Sequence, residues 1–155
     1  MKVSGHFFPP LCVLLLTLAA CTGDDLLSVC TLENDCWERG REMHHRFDVA
    51  DTSAVYDIYL EVHHSNLYPY RNIWIFLNTE TPIGTVQRDT LGMTLANERG
   101  YWLTPGAMFI HNCRFHVAGN HRFLYPGRYN FSIRHGMRTD TLEGVRYVSF
   151  ILRKH

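Results

Sequence analysis

From residue 47 onward, apolar side chains fall at every second position over short stretches of the chain. Phe47 and Val49 alternate with Arg46 and Asp48. Tyr56, Ile58, Leu60 and Val62 alternate with Asp57, Tyr59, Glu61 and His63. Successive side chains of a strand point to opposite faces, so this period predicts half-buried strands. Ile73, Ile75 and Leu77 interleave with Trp74 and Phe76. That stretch is apolar on both faces, which predicts a central strand. Thr81-Pro82-Ile83-Gly84 reads as a turn. Strand residues resume over 85–88 and at Leu91, Met93 and Leu95, while 96–100 reads as a loop or a single helical turn. Residues 108–110 and 115–117 are two short strand candidates separated by polar positions. Pro126-Gly127 is a sharp turn signal. It launches Tyr129, Phe131 and Ile133 on one face, with Asn130, Ser132 and Arg134 on the other. Residues 136–144 read as a loop, and Val148, Phe150 and Leu152 as the last strand. No segment holds a 3.6-residue period. Many short strands with turns between them predict one all-β domain, residues 43–155, folded as an antiparallel β-sandwich of immunoglobulin-like or jelly-roll-like type. Residues 22–42 are polar and irregular and read as a tether, with Cys30, Cys36 and Trp37 at its junction with the domain.

The apolar pattern of the first 20 residues is of another kind. Lys2 precedes an apolar run from Phe7 to Ala20, and Leu18-Ala19-Ala20-Cys21 follows the rule of small residues before a cleavage point. A transmembrane helix needs about 20 apolar residues. This run has 14, interrupted by Pro9-Pro10. The pattern resembles the bacterial lipobox, which makes residues 1–20 a lipoprotein signal peptide and Cys21 the lipidated first residue. Several acyl chains hold a protein firmly where one holds it only marginally.

Without the signal, 135 of the 155 residues remain, with 14 basic and 15 acidic side chains. No basic face stands out, so the electrostatic footprint of nucleic-acid binding is missing. Of the five cysteines, Cys12 leaves with the signal and Cys21 takes lipid. Cys30, Cys36 and Cys113 are left in an oxidising compartment. Cys30 and Cys36 close the shortest loop and are the candidate disulfide, unpaired core thiols being the competing reading.

Several segments resemble one family. They are Tyr56-Asp57-Ile58-Tyr59-Leu60, Asn66-Leu67-Tyr68-Pro69-Tyr70-Arg71-Asn72, Asp89-Thr90-Leu91 and Gly100-Tyr101-Trp102-Leu103. Further along come Tyr125-Pro126-Gly127-Arg128-Tyr129-Asn130-Phe131, Gly136-Met137-Arg138 and Leu142-Glu143-Gly144-Val145. In order and spacing the chain resembles the gliding motility lipoprotein GldH family of the Bacteroidetes over roughly residues 56–154. The resemblance implies an outer-membrane lipoprotein of the gliding machinery, which is tied to type IX secretion. It implies no enzymatic activity and supplies no catalytic residues. Cys30, Cys36, Cys113 and the many histidines depart from that pattern.

The remaining chemistry is sparse. Nine histidines follow the signal. His44-His45 and His63-His64 are neighbours, which in strands face opposite ways, and His111, His116 and His121 flip face at each step. They read as surface or interface residues, with no metal and no cofactor expected. Cys113 with a nearby His has nothing to orient it as a nucleophile. The carboxylates are scattered rather than paired. Tyr68, Tyr70, Trp74 and Trp102 could stack a sugar, although strand aromatics more often pack inward. Asp140-Thr141-Leu142, and less so Asp89-Thr90-Leu91, match the short pattern at which Bacteroidetes O-glycosylate exported proteins, so Thr141 is the candidate acceptor. Met137 and Arg138, between Arg134 and Arg146, have the composition of an interface centre. The plainer reading folds Met137 into the core and leaves Arg138 solvated. Together these features predict a non-enzymatic, lipid-anchored interaction module of the motility and secretion machinery, with protein partners in the cell envelope. The outer membrane is expected, its periplasmic side favoured. The alternative is a glycan-binding lipoprotein of a nutrient-uptake system.

Overall fold

The computed structural model describes residues 25–155. The signal peptide and Cys21 lie outside the described residues. Eleven strands follow in order: β1 (Leu26–Thr31), β2 (Cys36–Glu38), β3 (Met43–Val49), β4 (Tyr56–Ser65), β5 (Asn72–Glu80) and β6 (Val86–Thr94), then β7 (Gly106–Ala107), β8 (Ile110–His121), β9 (Gly127–His135), β10 (Thr141–Glu143) and β11 (Val145–Lys154). The only helical element among the described residues is a 3-10 turn at Glu33–Asp35.

One sheet has the order β1-β11-β4-β8-β7, the other β3-β9-β5-β6, and every pairing is antiparallel. If the eight long strands are taken in chain order, the sheets read first-eighth-third-sixth and second-seventh-fourth-fifth. That is the double Greek key of a jelly roll, the second of the two sandwich types expected. Inward-facing Leu60, Val62, Ile73, Ile75, Ile133, Val148, Phe150 and Leu152 are fully buried between the sheets. Phe131 stacks on Phe150 at 4.6 Å and meets Phe47 edge-on at 5.9 Å, tying both sheets together. The predicted turns hold: Gly84 sits at φ 82 and donates its N–H to Thr81 O.

Four expectations change. The segment read as a tether contributes β1, which pairs with β11 from Leu26↔Leu152 to Thr31↔Tyr147. Its alternation is inverted: Ser28 and Cys30 face inward and Leu27 and Val29 outward. Small polar residues are tolerated there because Ser28 Oγ lies 3.1 Å from Nδ1 of the fully buried His45. Cys30 and Cys36 are both free. Cys30 faces Val148 in the large sheet while Cys36 faces Glu143 in a small β2–β10 pair, so the two belong to different ladders. Residues 108–117 do not form two strands. β8 is a single 12-residue strand, and Met108 and Phe109 form the exposed tip of the β7–β8 hairpin at φ 51 and 65. The loop 136–144 ends in β10, whose Leu142 packs with Trp37, the side chain that closes this end of the core.

Candidate interaction surface

β5 is central, between β9 and β6, as its pattern predicts. Its second apolar face, however, has no cover: Trp74 is 46% and Phe76 37% exposed. With Tyr70, Asn72, Thr90, Gly136, Met137 and Arg138 they line a surface groove of about 590 Å³. Two glycines shape it. Gly92 lies opposite Trp74 in β6, and a Cβ there would stand 2.5 Å from the indole, so only glycine lets the ring lie across the strand. A Cβ on Gly136 would meet the Phe76 ring at 3.0 Å. Gly136 N–H donates to Trp74 O at 2.6 Å and Trp74 N–H donates to Met137 Sδ at 3.3 Å. These two contacts pin the β9–β10 loop against β5.

The rim is basic. The Arg134 guanidinium lies 5.2 Å over the Phe76 ring, within cation–π range. Arg39, Arg134 and Arg138 surround a neighbouring hollow of about 260 Å³ that shares Phe76, Gly136 and Met137. Arg39 meets Asp140 at 3.4 Å, and neither hollow is lined by a carboxylate. The arrangement can stack a planar group, bind a thioether-sized apolar side chain and pair with anions. Met137 is half-buried against the core margin while Arg138 is exposed, so the loop divides between the two readings of it. Phe76 and Arg39 were absent from the sequence-derived site, and Arg134 entered it only as a residue flanking Met137 and Arg138. The spacing of Phe76 two residues from Trp74 pointed to the first; nothing pointed to Arg39.

The other expected site residues lie elsewhere. Thr141 is exposed on β10, its backbone paired opposite Glu38. The aromatic set divides: Tyr70 joins Trp74, but Tyr68 is buried with its hydroxyl donating to Asn72 O at 2.9 Å. Trp102 packs edge-on against His64 at 4.5 Å and donates to Asn66 Oδ1. The histidines are the largest correction. His45, His63, His64, His111 and His135 are buried rather than at the surface. His64 Nε2 lies 3.6 Å from Cys113 Sγ. Burial pushes the His64 imidazole down and the Cys113 thiol up, so both favour their neutral forms and no thiolate is prepared. Among the described residues, no three His, Cys, Asp or Glu side chains converge to hold a metal ion.

Residues 28–151 match the family model of the GldH lipoprotein. A "gliding motility lipoprotein GldH homolog" of Christiangramia forsetii is 27% identical over 125 residues, covering 76% of this chain and 77% of that one. The gliding motility lipoprotein GldH of Flavobacterium johnsoniae is 25% identical over 121 residues, covering 74% and 75%. Among solved structures, dimeric latent PorU of Porphyromonas gingivalis superposes with a TM-score of 0.39 at 10% identity, over 84% of this chain and 13% of PorU. A likeness of that strength is too weak to argue from. The family match covers most of the sandwich, from within β1 to within β11, and with it the chain belongs to the GldH lipoprotein family.

Proposed function

We propose that this chain is a non-enzymatic protein-interaction module of the gliding motility and type IX secretion machinery. Lipid on Cys21 holds it in the outer membrane, on the periplasmic side. The observation that carries the reading is the uncovered Trp74–Phe76 pair on an ordered central strand, ringed by arginines. Exposed aromatics with Met and Arg are the composition of interface centres, and Trp and Arg dominate their energetics. The described chain starts beside Leu152, at the end of the sandwich where β11 finishes. The groove lies toward the other end, where β4 gives way to β5. A ten-residue strand spans about 33 Å. An anchor at Cys21 therefore turns the groove away from its membrane and toward a partner, at raised local concentration.

The test introduces Arg138→Glu and, separately, Trp74→Ala into this full-length lipoprotein, expressed in a gliding host in place of the host's own copy. Arg138→Glu should keep the thermal midpoint within about two degrees, as exposed positions do, and Trp74→Ala, which strips a half-buried ring, should lower it by about a few degrees while the domain stays folded. Both should lose the cross-linked partner and motility. A folded, membrane-localised Arg138→Glu protein with full motility sinks this surface. Tyr70 and Trp74 sharing one groove also favour, more weakly, a glycan-binding lipoprotein. A glycan-array signal abolished by Trp74→Ala, with no cross-linked protein, selects that reading instead.

A further inference from the structure

The two sheets have four outer edges, and these meet in pairs along the sides of the sandwich. β1 meets β3 on one side. On the other side lie β6, paired only with β5, and β8, paired from Asn112 to His121 only with β4. Between β6 and β8 a cleft of about 310 Å³ reaches the core, floored by Ile58, Leu77, Phe131 and Phe150. Leu91 and Val117 form its walls, with Asp89 and His121 beside them. It continues into a second hollow of about 270 Å³ through the shared residues Thr79, Gln87 and His121. Leu91, Phe115 and Val117 are core side chains left half-buried along this line.

We propose that this seam receives an extended segment of another protein, added as a strand along β6. Its apolar residues at alternate positions would enter the cleft, with a Lys or Arg set against Asp89. The inference goes beyond the Trp74 groove and concerns a different face of the molecule.

Three observations select that occupant. A free strand edge is a row of N–H and C=O groups, and only another extended backbone complements it along its length. A helix satisfies its own backbone and would leave the row unmatched. β6 is the regular template: its register to β5 runs from Asn72↔Thr94 to Glu80↔Val86 without a shift, whereas β8 is bulged opposite residues 56–59. The cleft also has a sign. Asp89 faces it with a single hydrogen bond, from Gln87 Nε2 at 2.9 Å. His121 nearby is held toward its neutral form by burial, and Arg122, which lines the adjoining hollow, is exposed to solvent and makes no ion pair with Asp89. An inward carboxylate on an edge strand opposes pairing with a second copy, because antiparallel self-addition would bring two Asp89 side chains into one cleft. A cationic partner residue removes that penalty.

The test places a photo-reactive benzoylphenylalanine at Gln87, Asp89 or Leu91, one at a time, in the full-length lipoprotein within its host cells. Trp74, in the groove, and Asp48, on the outward face of β3, serve as probe positions away from the seam. These three seam side chains face one way at successive two-residue steps. The expected result is adducts on one short partner segment, with attachment points advancing two residues per step. Asp89→Lys should cut the Gln87 adduct about tenfold or more while the circular dichroism spectrum and thermal midpoint are retained. Adducts scattered over non-contiguous partner surfaces overturn the proposal. So do adducts on β6 or β8 of a second copy, and so does the absence of any seam adduct. Capture at Trp74 alone keeps the groove and removes the seam. Capture at the seam alone does the reverse.

Discussion

Along one side of the sandwich β1 lies against β3, and its small inward residues bring the two edges together. Cys30 Sγ sits 3.5 Å from His44 O, and Ser28 Oγ sits 3.1 Å from His45 Nδ1. Along the other side β6 and β8 are held apart, and the space between them opens onto Phe131 and Phe150. The closed seam uses polar and sulfur contacts from a strand that sits at the edge of its sheet and pairs with the final strand of the chain. The open seam shows larger apolar side chains, Leu91, Phe115 and Val117, with nothing laid over them. A jelly roll has two such sides, and in this chain small polar side chains close one only. Closure therefore follows from side chains small enough to let two edges approach, not from the hydrophobicity of the edges.

The largest test of that contrast is a pair of truncations. Phe47 is buried behind the closed seam, in contact with Phe131 and Phe150. Phe47→Ala should cost about 3–5 kcal/mol, the range for emptying a large core site. Leu91→Ala, at the half-buried rim of the open seam, should cost under about 2 kcal/mol. Urea denaturation of the two variants measures both. Equal losses would mean that the β6–β8 side is as well sealed as the β1–β3 side.

A somewhat smaller effect lies in acid. Burial pushes His45 from its ordinary range down to about 4. Its folded value lies below its unfolded one, so the unfolded chain binds the extra proton first. The stability tied to neutral His45 is complete above pH 6.5 and drains away as pH falls toward 4, by up to roughly 3 kcal/mol. His63, His64, His121 and His135 are pushed the same way, each mainly by burial, and steepen the fall. His45→Phe, which keeps a ring over Phe150, should flatten the stability curve between pH 6.5 and 4. An unchanged slope would move the acid sensitivity away from the closed seam.

The closed seam was the harder of the two to read in the sequence, for a physical reason. β4, β9 and β11 are legible because apolar inward residues recur at every second position, and β5 because it is apolar on both faces. In β1 the signs are reversed: Leu27 and Val29 are solvent-facing, and the inward Ser28 and Cys30 are matched to a buried histidine that no pattern announces. β8 hid for a related reason, its outward Asn112 and Arg114 resembling a loop between two short strands. The candidate surface was half legible. Met137 and Arg138 stand out by composition, and Trp74 by being apolar on a second face. Their meeting depends on a contact across 63 residues, which only the strand order creates.

The smallest effect expected is also the sharpest statement about the closed seam. Cys30 and Cys36 are free, one facing His44 O beside β3 and the other opposite Glu143 in β10. Burial pushes the Cys30 thiol up from its usual range, which slows its oxidation. A disulfide across so short a loop would contribute about 2 kcal/mol or more to stability. With no such bond, adding a reductant should leave the unfolding midpoint in place, and Cys36→Ser should shift stability by no more than about 0.5 kcal/mol. Cys30→Ser should cost slightly more, because the thiol packs against the partly polar junction with His45. A midpoint that drops on reduction, with both serine variants showing the same drop and no further sensitivity to reductant, would mean that the first sheet is stapled covalently at its outer strand. The contact between Ser28 and His45 would then be a consequence of closure rather than its cause.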